Sequence, residues 1–162
     1  MENRLKLLLM PVFKLLALPV DNLEASDSYV VTLEGGLAIE LKQSPNDFLT
    51  VSCLIPISAE RFKDLETLGI LLQTNLLGLE HPPILTGAIV EQQKVILWTR
   101  QAFLLLDQAA IIHLFKRFAE QAQKMQGWLA VPLKENVEKV PQSSLSSSVK
   151  SSLSTGLKEV LV

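Results

Sequence analysis

The chain has 162 residues, 48% of them apolar, with 15 Lys and Arg against 17 Asp and Glu and a formal net charge of −2. A chain of this length suits one core, and its slightly acidic balance gives a phosphate backbone little to hold, which argues against nucleic-acid binding. The lone cysteine, Cys53, excludes an intrachain disulfide.

The first twenty residues predict a helix with almost no polar face, since Leu5, Leu7, Leu8, Leu9, Met10, Val12, Phe13, Leu15, Leu16, Ala17, Leu18 and Val20 crowd it. A helix on a small domain normally buries one stripe. The second apolar face therefore implies a partner, because each leucine gains ~1.5–3 kcal/mol on burial. Lys6 and Lys14 bracket only Leu7 to Phe13, short of the ~18–20 residues that span a bilayer. Val20-Asp21-Asn22 is not a small-residue cleavage site, so neither an anchor nor a cleaved leader is expected. Pro11 either kinks this helix or marks the first turn of its main part.

Tyr29 to Leu33, then Glu34-Gly35-Gly36, then Leu37 to Lys42 form a strand, glycine turn, strand pattern. Ser44-Pro45-Asn46-Asp47 is turn chemistry, and Phe48 to Ile55 follows as a third strand with Leu49, Val51, Cys53 and Ile55 on one face. Ser58 is a suitable N-cap for a second helix, whose stripe is Phe62, Leu65, Leu68, Leu72, Leu76 and Leu79. Ile70, Leu71 and Leu77 lie off that stripe, so this helix also carries more apolar surface than one contact needs. Gly78 and Pro82-Pro83 end it. Ile84 to Val90 and Lys94 to Thr99 predict a hairpin, in which Val95, Leu97 and Thr99 take one face and Ile96 and Trp98 the other. Asp107 caps a last helix with the stripe Ile111, Leu114, Phe115, Phe118, Ala122 and Met125.

The expected fold class is therefore α+β: helix, three strands, helix, two strands, helix, with an antiparallel sheet packed against helices over residues 1–130. Residues 131–162 form a second region. Their four basic and three acidic residues leave −3 on residues 1–130, and serine dominates Gln142 to Gly156, so this tail is expected to stay disordered. Leu145, Val149, Leu153, Leu157 and Leu161 recur every four residues, which gives the alternative of a tail that orders by folding back or by recruiting a partner.

Catalytic patterns are missing from the sequence: there is no Gly-x-Ser-x-Gly elbow, phosphate-cradling glycine loop or His-Glu-x-x-His. Ser147-Ser148-Val149-Lys150 matches Ser-x-x-Lys inside a serine tract, where chance explains it. Cys53 sits in an alternating strand as a small buried hydrophobe. His81 and His113 lack a second ligand at metal spacing. No enzyme activity, metal or cofactor is expected.

Leu18-Pro19-Val20-Asp21 after an apolar helix, Leu72-Gln73-Thr74-Asn75-Leu76-Leu77-Gly78 at the end of a second, the following hairpin and an apolar helix ending at Trp128 resemble the class I type III secretion chaperones, the Tir-chaperone-like family. The resemblance runs from about Leu5 to Leu129, and Pro82-Pro83 stands where the family often has glycines. It implies a cytoplasmic bacterial homodimer that serves virulence by holding the N-terminal segment of a secreted effector extended and export-competent without ATP, with the export machinery as a further partner. It maps the dimer contact to Leu68, Leu71, Leu72, Leu76, Leu77 and Ile84, and the client patches to Leu8, Leu9, Phe13, Ile96 and Trp98. Two alternatives stand beside it: a same-fold regulatory adaptor for a non-secreted protein, and an adaptor that lays its Lys-bracketed first helix on a lipid surface without inserting.

Overall fold

The computed structural model describes residues 3–20, 23–77 and 80–133. The predicted serine-rich tail, apart from residues 131–133, lies outside them, as do Gly78 and Leu79 at the expected end of the second helix.

Helix α1 spans Arg4–Leu15 and is capped by Asn3, whose side chain accepts from the Lys6 N–H at 2.8 Å. Pro11 lies inside it and does not end it; the cost is the hydrogen bond that the Leu7 carbonyl would otherwise receive. The helix closes at Ala17, which adopts φ 52°. The Ala17 N–H donates to the Lys14 carbonyl and the Leu18 N–H to the Phe13 carbonyl, the paired closure usually built on glycine.

Five antiparallel strands follow the predicted pattern: β1 (Ser28–Thr32), β2 (Ala38–Gln43), β3 (Phe48–Pro56), β4 (Leu85–Ile89) and β5 (Lys94–Ala102), in the spatial order β1-β2-β3-β5-β4. Gly35 and Gly36, at φ 90° and 80°, make the tight turn between β1 and β2. Strand β5 runs three residues past Thr99 because β3 pairs with it out to Phe48↔Ala102.

Alternation along the strands makes two unlike faces. Val31, Ile39, Leu41, Leu49, Val51, Cys53, Ile55, Val95 and Leu97 are buried on one face. They join a single core with the α1 residues Leu5, Leu9, Val12 and Phe13 and with helix α4 (Gln108–Ala130). Asp107 caps α4 by accepting from the Ala110 N–H at 2.7 Å, and its buried stripe is the predicted one extended to Leu129. Phe13 meets Tyr29 edge to face at 5.4 Å.

The second predicted helix is two helices, α2 (Ala59–Lys63) and α3 (Leu65–Leu77). Ser58 caps the first as expected, its side chain accepting from the Arg61 N–H. Asp64 then turns extended, at φ −78° and ψ 117°, and its carboxylate accepts the Thr67 N–H at 2.7 Å and the Thr67 hydroxyl at 2.6 Å. It thereby caps α3. The junction is tied to the far end of the chain by Arg61, which is buried, donates through Nε to the Val131 carbonyl at 2.8 Å and stacks over the Trp128 ring at 4.9 Å.

Candidate partner-binding surfaces

Helix α3 carries an exposed apolar face. Leu65, Leu72 and Leu76 are 83%, 69% and 81% exposed, and Gly69 between them has open space beside it. Leu71, read from the sequence as off the stripe, is buried, while Leu65, Leu72 and Leu76 of the stripe face outward. Among the residues expected at a self-contact, Leu72 and Leu76 are therefore exposed and Leu68 is half-buried. Leu71 and Ile84 are already buried inside the chain, and the Leu77 side chain lies outside what the structure describes. A groove of about 200 Å³ is lined by Leu68, Leu71 and Leu72 of α3 and by Thr86, Gly87 and Ala88 of β4.

The sheet face turned away from the core is the second surface. Ile96 lies opposite Leu54 on one side and Gly87 on the other, and Trp98 lies opposite Ser52 and Leu85. Ile96 and Trp98 are half-buried, and Leu54 is exposed. A side chain at Gly87 would meet Ile96 Cγ2 at 3.1 Å, so glycine leaves Ile96 its place across the strands. The Arg100 guanidinium sits over the Trp98 ring at 5.7 Å, and its Nε donates to the Thr50 hydroxyl at 3.0 Å. Leu54, Leu85 and Gly87 share this face with Ile96 and Trp98 and were not among the positions expected there. The signal available was the strand parity of Leu54 and Leu85 with Ile96 and Trp98, which only the register makes specific.

On α1 the expected client positions divide. Leu8 is half-buried, but Leu9 and Phe13 are 0% and 1% exposed and stand in the core, where a client side chain has no access to them. The apolar residues that α1 and its closure leave outside are Leu7, Leu15 and Leu18. Leu15 and Leu16 also line a shallow apolar hollow of about 410 Å³ with Leu33, Phe115 and Ala119.

The two sheet edges differ. On β1, the Leu33 N–H donates to the Leu37 carbonyl and the Gln43 N–H to the Asp27 carbonyl, so alternation turns the N–H and C=O of Val30 and Thr32 outward. On β4, the Asn75 side chain of α3 bonds the backbone of Thr86 in both directions.

Burial pushes the Cys53 thiol up to about 11, which keeps it protonated and unreactive. The Thr67 hydroxyl and N–H hold the Asp64 carboxyl below its ordinary value. His81 and His113 line one small pocket of about 110 Å³ with Arg117, which is engaged by Glu80 and the Pro82 carbonyl. Among the described residues no three His, Cys, Asp or Glu side chains are placed to hold a metal, and no helix is long and apolar enough to cross a membrane.

No protein-family model matches the sequence, and no curated protein matches it. Solved structures do match its fold. A chain of the ExoT–SpcS complex from Pseudomonas aeruginosa is 22% identical with a TM-score of 0.58, covering 76% of this chain and 98% of that one. A chain of the HopA1–SchA chaperone–effector complex is 14% identical with a TM-score of 0.59, over 75% of this chain and 92% of that one. A chain of the complex of the Yersinia pestis type III secretion chaperone SycH with a stable fragment of YscM2 is 15% identical with a TM-score of 0.58, over 74% of this chain and 97% of that one. The chain has the α+β fold of type III secretion chaperones.

Proposed function

We propose that this chain is a cytoplasmic type III secretion chaperone. Two copies associate through the exposed face of α3, and the pair holds an extended segment from near the N-terminus of a secreted protein, without ATP, until the export machinery takes it. The observation that carries this reading is the pairing of two separate apolar surfaces on this fold. Leu65, Leu72 and Leu76 form one on α3, and Leu54, Ile96 and Trp98 form another on the outer sheet face. A self-contact accounts for the first and a client for the second. Solved neighbours of the same fold are complexes with effectors or other proteins, which supports partner binding as the activity. An extended client fits a surface of this kind because main-chain pairing and shallow apolar patches accept many sequences.

The test is affinity capture of the tagged full chain from a bacterium that carries it, followed by limited proteolysis of what is bound. Recovery of secreted proteins, protected within their N-terminal portions, is the expected result. Recovery solely of folded proteins that are never secreted would overturn the chaperone reading in favour of a same-fold regulatory adaptor.

A further inference from the structure

We propose that Asn75 is a strand surrogate: its side-chain amide completes the outer edge of β4 as a neighbouring strand would, and so reserves strand addition for the β1 edge. The strand-adding client rests on the function proposed above; the closure of β4 does not.

The Thr86 N–H donates to Asn75 Oδ1 at 2.6 Å, and Asn75 Nδ2 donates to the Thr86 carbonyl at 3.2 Å. A primary amide presents one acceptor and one donor on the same side, which is the pair that an antiparallel neighbour offers to one outward-facing residue. The arrangement is held in place from α3. The Thr86 hydroxyl donates to the Leu71 carbonyl at 2.6 Å, and the Thr74 hydroxyl, donating to the same carbonyl at 2.7 Å, lies 3.1 Å from the Thr86 hydroxyl.

Strand β4 spans only Leu85–Ile89 and pairs solely with β5 among the described residues. With Thr86 turned outward, alternation leaves Ala88 as the other outward residue of the strand. Occupying Thr86 therefore reduces the β4 edge to one residue, too little to fix the register of an added strand. The β1 edge keeps the outward groups of Val30 and Thr32, and Val30 is 63% exposed. An unguarded edge invites pairing with other chains, and Asn75 removes that liability from the strand beside the exposed leucines of α3. A second copy then meets a helix surface there.

Hydrogen exchange on the ¹⁵N-labelled full chain, with no client present, tests this. In the parent protein the Asn75 side-chain amide should exchange about tenfold or more slowly than that of the exposed Gln73. In Asn75→Leu, exchange at the Thr86 amide should rise by about tenfold or more, the Val51 and Leu97 amides should keep their rates, and light scattering should show mass growing with concentration beyond the parent's. Unchanged Thr86 exchange, or the parent's mass, in folded Asn75→Leu overturns the proposal. If that variant fails to fold, the parent decides: an Asn75 amide exchanging as fast as Gln73 overturns it, and a slow one supports it. Because no client is used, failure here is distinct from failure to capture a secreted protein.

Discussion

Ala17 is a non-glycine residue in the left-handed region, at the position that closes α1. That conformation costs an L-residue ~1–2 kcal/mol, part of which glycine gives back as unfolded-chain entropy. Ala17→Gly should therefore raise stability by about 0.5–1 kcal/mol, read as a higher urea midpoint at unchanged slope. Asp64 makes a pH prediction. Its carboxyl titrates below its ordinary value because Thr67 donates to the charged form, so its contribution to stability is present above the unfolded pKa and lost as pH falls through the folded one. Asp64→Ala should lower the urea midpoint at neutral pH and flatten its fall in acid; a parallel fall in both proteins would contradict the capping role. Exposure separates core from surface among the apolar residues. Leu9→Ala should cost about 2–5 kcal/mol of folding stability, whereas Trp98→Glu should keep the fold and weaken client binding about tenfold or more.

Element order was legible in the sequence because alternation, stripes and caps are local. The Gly35-Gly36 turn, the Ser58 and Asp107 caps and the stripe of α4 all stand where those signals put them. What escaped was the face. Leu9 and Phe13 share α1 with Leu7 and Leu15, and a helix that is apolar all round does not say which side the sheet covers. The α2–α3 break was hidden for a similar reason: Asp64 is polar on either reading, and its capping of Thr67 depends on a backbone turn that periodicity does not register. The break precedes Leu65, so Leu65, Leu72 and Leu76 keep one shared face on α3, and that face is the exposed one. Arg61 fastens this junction to the end of α4, so Arg61→Ala should destabilise the fold by about 1.5–3 kcal/mol through the lost charged hydrogen bond and shift Trp128 fluorescence. Retention of both stability and emission would show the stacking to be idle.

At the scale of the whole molecule, one sheet face builds the core with α1 and α4 and the other stays available, while α3 stands at the β4 edge with leucines outward. Leu72→Asp with Leu76→Asp should therefore leave each copy folded, since exposed substitutions generally stay within about 0.5 kcal/mol, yet abolish self-association by placing unpaired charge in the seam. The most direct measurement of the central claim is the native mass of the captured complex, combined with hydrogen exchange on both components. The account predicts two copies of this chain with one client segment, protection of the client over a stretch near its N-terminus, and new protection on this chain around Leu54, Ile96 and Trp98. A complex of one copy with one client, protected instead at Leu72 and Leu76, would contradict it.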